Sequence, residues 1–357
     1  MSAAQTDHLP WHQPVWDRLA ACHRRGRVPH AIAVVGSAGL GKSRLAIRFA
    51  QALLCASPRS DGDGCGRCRC CHLQAAGSHP DHYAVHPESE PGGPIKIDQI
   101  RRLIEFLMRS SQYGGYRVTL VDPADRMTLA AANSLLKTLE EPPAAAVLIL
   151  VARQFSQLPA TLRSRCRLVQ LQPPPAVLAR EWLAEHCPEA IGLLALAGGA
   201  PLRAMAYAQA GTEGRYAALI ADLLAIVEGH RSPVLAAQNW TGIGLRDWIE
   251  LLQLALAELA RAAFTECELD RIPGRADLQT LTERIDHSCL HDYMEEVVAT
   301  RRILDQPLNE QLVIEDLFIR WRTATRGARL AKDRVSGYAA KVAVGRTSGD
   351  SIGLYQG

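Results

Sequence analysis

Gly36-Ser37-Ala38-Gly39-Leu40-Gly41-Lys42-Ser43 satisfies the phosphate-loop pattern G-x-x-x-x-G-K-[ST] at every required position. Its flanks supply the context that the motif needs. Ala31-Ile32-Ala33-Val34-Val35 is a short apolar, β-branched run and reads as a buried strand, and Arg44 to Leu54 carries apolar residues at helical spacing. Strand, glycine loop and helix together direct free backbone N–H groups and a helix dipole at an anionic phosphate. Gly36, Gly39 and Gly41 let the backbone wrap closely, Lys42 reaches the β and γ phosphates, and the Ser43 hydroxyl sits on Mg²⁺. The expectation is an ATP or ADP pocket made by residues 36–43.

Bulk composition sets wide limits around that pocket. A chain of 357 residues exceeds one ordinary core, so two or three domains are expected. Hydrophobic content of 48% and charged content of 22% are those of a globular protein. A formal net charge of +3 is too small to imply a surface that coats nucleic acid. There is no apolar stretch long enough to cross a membrane, and Met1 to Trp16 lacks a basic region followed by an apolar core. These features point to the cytosol, where thiols stay reduced.

Reduced thiols matter because four of the ten cysteines crowd between Cys65 and Cys71. Cys65, Cys68 and Cys71 offer three thiolates on a tight turn, and Cys55 offers a fourth from the end of the preceding helix. Four soft ligands describe a closed structural Zn²⁺ site. Cys70 and His72 are spare ligands, either of which could displace Cys71. The loop 57–64 is polar and glycine-rich with little to pack, so metal is expected to order it.

Farther on, His82 to His86 reads as a second strand, Ile97 opens a helix, and Arg117 to Val121 forms an apolar strand ending in Asp122. In a phosphate-loop protein a carboxylate at that strand end belongs with Mg²⁺. The stretch from Ala131 to the proline pair Pro142-Pro143 reads as a helix, with Leu129 just before it in line with Ala132, Leu135, Leu136 and Leu139 on one side.

Leu135-Leu136-Lys137-Thr138-Leu139-Glu140-Glu141-Pro142-Pro143 also resembles a signature of clamp-loader subunits, members of the AAA+ ATPase class. Ser164-Arg165-Cys166, after the strand Val147 to Val151, is similar to a second motif of that family, and the cysteine insertion is typical of its bacterial members. The resemblance runs from residue 9 to about 325. It implies an α/β AAA+ phosphate-loop domain with a parallel sheet over 1–172 and a zinc module at 55–71. A small helical lid domain over 173–212 and an all-α collar domain over 213–330 would follow. The break at Gln172-Pro173-Pro174-Pro175 fits the first boundary.

Site roles follow from the same resemblance. Arg165, with Ser164 and Cys166, would project across a subunit boundary to ATP held by a neighbour. A guanidinium there stabilises charge developing on the transferred phosphoryl group. Arg203, early in the helix after Gly198-Gly199-Ala200-Pro201, matches the lid arginine that contacts nucleotide phosphates. Motor subunits of the family, gamma and tau, would carry Asp-Glu after the third strand and a threonine pair after the fourth. Here the equivalents are Asp122-Pro123 and Ala152-Arg153. Proline cannot accept or direct a proton, and Asp125 is a poor substitute. The pocket should therefore bind nucleotide and turn it over slowly or not at all.

The resemblance thus implies a non-hydrolysing stator within the DNA polymerase III clamp loader, in a ring with gamma or tau and delta. The assembled ring would act on the sliding clamp and primer-template DNA, with no membrane involved. Two other readings fit parts of the chain: a hydrolysing motor subunit, and a zinc-dependent nucleic-acid-binding protein. From 213 onward the chain is helical by periodicity, with Leu219, Leu223 and Leu224, then Leu252, Leu256 and Leu259, and finally Leu312, Val313, Leu317 and Trp321 as core stripes. Cys267, Cys289, His287 and His291 lack ligand spacing and are assigned no metal. The tail 331–357 reads as flexible.

Overall fold

The computed structural model describes residues 8–88, 93–264, 273–304 and 308–325. The expected tail at 331–357, Cys267, the side chain of His287 and most of the loop 88–94 lie outside the described residues. The chain divides into two compact units, Met1–Ala206 and Tyr207–Gly357.

The first unit is built on a five-stranded parallel sheet: β1 (Ala31–Val35), β2 (His82–Val85), β3 (Arg117–Val121), β4 (Ala146–Ala152) and β5 (Arg167–Gln170). The order is β2-β3-β4-β1-β5, so β1 lies between β4 and the edge strand β5. Val35 at the end of β1 is in register with Ala152 of β4 and Gln170 of β5. Every residue of β1, β3 and β4 is buried, as befits a sheet covered on both faces; β1 and β4 are unbroken apolar runs, whereas β3 also buries Arg117 and Thr119.

Strand alternation sorts these residues into two layers. Ile32, Val34, Val147, Ile149 and Val151 pack with Val15, Trp16 and Leu19 of α1 (Gln13–Arg24) and with Leu45, Phe49 and Leu53 of α2 (Lys42–Leu54). A short helix, α3 (Arg69–Ala75), lies within the cysteine segment. On the opposite face Ala31, Ala33, Val35, Leu148 and Leu150 meet α4 (Ile97–Leu107), α5 (Leu129–Ser134) and α6 (Leu136–Glu140).

The expected single helix over 131–139 is broken at Leu135 into α5 and α6. Leu135 and Leu139 enter the core, but Leu129 does not. Leu129 is 68% exposed because Thr128 caps the helix, accepting from Ala131 N, and leaves position 129 in the first turn, facing away from the sheet. Three more helices complete the region: α7 (Ala160–Arg163), α8 (Ala176–His186) and α9 (Pro201–Gln209). A 3₁₀ segment covers Pro188–Leu193 between α8 and α9.

The second unit is helical in its described residues: α10 (Thr212–Glu228), α11 (Pro233–Gln238), α12 (Leu245–Phe264), α13 (Arg275–Arg284), α14 (His287–Arg302) and α15 (310–325). Its core gathers Tyr216, Trp248, Tyr293, Phe318 and Trp321. Trp321 Nε1 donates to Leu223 O at 3.1 Å and Tyr293 Oη donates to Leu317 O at 2.9 Å, so both polar edges are satisfied inside. Leu317 and Trp321 point inward as the stripe requires, whereas Leu312 is 60% exposed. The inward face is Ile314, Leu317, Phe318 and Trp321.

Candidate functional site

The phosphate loop joins the C-terminal end of β1 to the N-terminus of α2, which starts at Lys42. Gly41 is in the left-handed region at φ 79° and Gly39 at φ 81°, conformations that side chains rarely adopt. Space also restricts both positions. A Cβ on Gly39 would lie 2.4 Å from Arg203 Cβ, and one on Gly41 would lie 2.4 Å from Leu9 Cδ1. Leu202 N donates to Gly39 O at 3.2 Å. Arg203, in the first turn of α9, therefore lies directly against the loop, and the structure brings it to residues 36–43.

A brace from the N-terminal segment holds the other side of the loop. Trp11 Nε1 donates to Leu40 O at 3.0 Å, and His12 Nε2 lies 2.7 Å from the same oxygen. Leu40 is fully buried. Trp11 meets Trp182 of α8 edge to face at 5.1 Å, which ties this brace to the residues after the proline break. Burial holds His12 neutral, with its pKa brought down to about 4. Nothing in the spacing of Trp11, His12 and Leu40 announces this contact.

Lys42 Nζ donates to Ser37 O at 2.9 Å across the loop. Burial lowers the Lys42 pKa, Asp122 and Asp125 oppose that shift, and Arg153 adds to it. The lysine thus has two carboxylates and a second cation in its field. Asp122 follows β3, with its N–H bonded to Val85 O at 3.0 Å, and Arg153 O accepts from Gly36 N at 3.2 Å. Asp125 stands on the 3₁₀ turn Ala124–Arg126 with a buried Oδ1 that has no hydrogen-bond partner among the described residues. Its charge reaches Lys42 from that turn, so Asp125 lies nearer the loop than its place in the sequence suggests. Glycine loop, lysine, Ser43 and carboxylates are together a donor set that suits a nucleotide phosphate chain with Mg²⁺.

The cysteine cluster lies at the far end of α2, a helix of 13 residues, about 20 Å from the loop. Sulfurs of Cys55, Cys65, Cys68 and Cys71 lie within 4.8 Å of one another. Cys55 and Cys68 are 3.9 Å apart, as are Cys65 and Cys71. Zinc–sulfur bonds of about 2.3 Å in a tetrahedron put sulfurs about 3.8 Å apart, so the set fits that ion. Backbone amides of Cys65, Cys68 and Cys71 point at Cys55, Cys65 and Cys68 sulfurs at 3.2, 3.3 and 3.4 Å. Such bonds stabilise thiolates. The Ser57 hydroxyl and the Arg67 amide pull Cys65 down to about 5, while burial pushes Cys55 and Cys71 up. Cys70 is buried and His72 exposed, and neither joins the cluster.

The loop 57–64 is better packed than its composition implies. Gly62 sits on Ala20, where a Cβ would approach Ala20 Cβ to 2.6 Å. Trp16 Nε1 donates to Asp61 O at 3.1 Å, and Arg24 Nη1 donates to Ser60 O at 2.9 Å. Asp63 pairs with Arg48 of α2. The partners come from α1 and α2, so the loop's own sequence could not reveal them.

Arg165 occupies the turn between α7 and β5. Its Nη1 donates to Thr161 O at 3.0 Å and Ser164 Oγ at 3.2 Å, and its Nη2 donates to Glu140 Oε1 at 2.5 Å. None of these partners belongs to the phosphate loop. Cys166 turns into the core, where burial raises its thiol pKa to about 11.

Comparison with known proteins gives consistent matches. A family model described as DNA polymerase III, delta subunit, matches residues 11–175. DNA polymerase III subunit delta' of Pseudomonas aeruginosa is 34% identical over 88% of this chain and 97% of its own length. The Escherichia coli protein of the same name is 33% identical over 87% of this chain and 94% of its own. Among solved structures, a DNA polymerase III gamma subunit-related protein of Thermotoga maritima superposes with a TM-score of 0.48. It is 19% identical and covers 87% of this chain and 100% of its own.

Proposed function

This chain belongs to the DNA polymerase III delta-prime subunit family, and from that premise we propose that it is the stator of a clamp-loader ring. In this reading its neighbours are gamma or tau and delta, in the cytoplasm. The assembled ring opens the sliding clamp and loads it on primer-template DNA. Arg165 reaches the ATP bound by the adjacent motor subunit. Residues 36–43, Asp122 and Arg203 hold ATP or ADP with Mg²⁺ in this chain's own pocket. The nucleotide supplies the phosphates; the chain supplies amide donors, the Lys42 cation and the Asp122 carboxylate. Cys55, Cys65, Cys68 and Cys71 hold a structural Zn²⁺.

The observation that carries the reading is the mismatch between a complete phosphate loop and the residue beside Asp122. Pro123 has no group to orient water, while Arg165 stands half-exposed away from this chain's own loop. Hydrolysis by the purified chain tests it. Nucleotide binding that Lys42→Ala removes, without steady-state turnover, is the expected result.

One observation favours a motor reading as the second choice. Asp125 has a buried carboxylate oxygen with no partner among the described residues, and its charge acts on Lys42. Turnover lost in both Lys42→Ala and Asp125→Asn would make that reading the leading one.

A further inference from the structure

Arg165 is not a loose surface side chain. Its guanidinium carries five N–H donors in a rigid plane. Two partners, Thr161 O and Ser164 Oγ, take Nη1, and Glu140 Oε1 takes one donor of Nη2. No described residue bonds Nε. The Nε–H lies on the edge of the plane that it shares with Nη2, and that edge is the one that can meet a phosphate oxygen. The arginine and glutamate side chains are 33% and 52% exposed, so the pair is reached by solvent and by whatever docks there.

We infer that Glu140 is a positioning residue for Arg165. It fixes the guanidinium so that the Nε edge is presented to a phosphoryl group of the neighbouring subunit. This rests on the trans-arginine reading of Arg165. A free arginine loses rotamer freedom when it engages a phosphate, and three bonds made beforehand remove much of that loss. Glu140 comes from α6 and Thr161 from α7, so one side chain is aligned by two separate helices. The geometry also gives a function to a residue of the Leu135–Pro143 signature: Leu135 and Leu139 fill the core while Glu140 faces out to the arginine. As a surface ion pair the contact contributes little to folding, so its loss should affect the reaction rather than the fold.

The test is a double-mutant cycle in the reconstituted loader, reading ATP hydrolysis by the motor subunits with Arg165→Ala, Glu140→Ala and both together. Glu140→Ala should lower kcat about tenfold with little change in KM for ATP, the pattern of a misaligned transition-state contact. Glu140→Gln keeps an acceptor oxygen and should recover most of the rate. Adding Glu140→Ala to Arg165→Ala should change nothing further. Thermal melts of each variant separate alignment from folding. An unchanged rate in Glu140→Ala, or a loss that multiplies with that of Arg165→Ala, would overturn the inference while leaving the trans arginine standing. If Arg165→Ala itself leaves hydrolysis unchanged, the trans-arginine reading and the inference fall together.

Discussion

Arg48 Nε lies 2.6 Å from Asp63 Oδ1 and Arg48 Nη2 lies 2.8 Å from Asp63 Oδ2, a two-pronged pair between the phosphate-loop helix and the cysteine loop. Both side chains are buried, and the guanidinium also stacks 3.7 Å from the Trp16 ring centroid. One helix thus carries the phosphate loop at its start, Cys55 at its end, and midway the arginine that fastens the loop between the cysteines.

Asp63→Ala should destabilise the first unit by about 3 kcal/mol, because it leaves Arg48 as an uncompensated buried charge. Burial alone would raise the Asp63 pKa, but Arg48, and Arg59 beside it, reverse that and hold it below the ordinary carboxylate value. A depressed carboxylate stabilises the fold above its unfolded pKa, and that stability disappears as pH falls through the folded one. The gap in urea-unfolding free energy between wild type and Asp63→Asn should therefore close below about pH 4.

Zinc content should be one ion per chain by elemental analysis. Replacing Cys55, Cys65, Cys68 or Cys71 by Ser should abolish stoichiometric retention, whereas Cys70→Ser and His72→Ala should keep it. Chelation should lower the melting temperature and open the loop 57–64 to proteolysis, since structural zinc contributes directly to folding. An intact loop in the chelated protein would mean that Arg48, Trp16 and Arg24 suffice to order it.

Burial holds His12 and His82 down to about 4, well below an ordinary histidine. The unfolded chain then binds more protons than the folded one between those values, so stability falls as the solution is acidified. Each histidine should cost about 2 kcal/mol between pH 7 and pH 5. His82→Gln should flatten that part of the stability profile. His12→Gln should flatten it too while keeping a side-chain donor for Leu40 O.

Features encoded by neighbours in the chain are legible in the sequence itself. Residues 36–43 need closely spaced glycines, and the cysteine set needs short spacing, so both write themselves locally. Long-range partners do not. The brace from Trp11 and His12 to Leu40 O spans 29 and 28 residues, and Arg165 to Glu140 spans 25. Periodicity also overreaches at helix starts. Leu129 and Leu312 fit apolar stripes by spacing but fall in or near a first turn, where the sheet and the helical core do not reach them. Pro123 illustrates a different limit. Its chemistry is plain from the residue type, but the reach of the Asp125 charge to Lys42 depends on how the turn after β3 folds back toward the loop.

In the stator reading proposed for it, this chain gives an arginine to a neighbour's ATP and does not itself turn nucleotide over. ATP hydrolysis by the reconstituted loader, with either Arg165→Ala or Lys42→Ala introduced in this chain alone, tests it most directly. Arg165→Ala should slow the ring by about 10³-fold at the adjacent site, while Lys42→Ala should leave the rate per motor subunit unchanged. The reverse pattern, a rate lost with Lys42→Ala and kept with Arg165→Ala, would contradict the account and make the chain a motor.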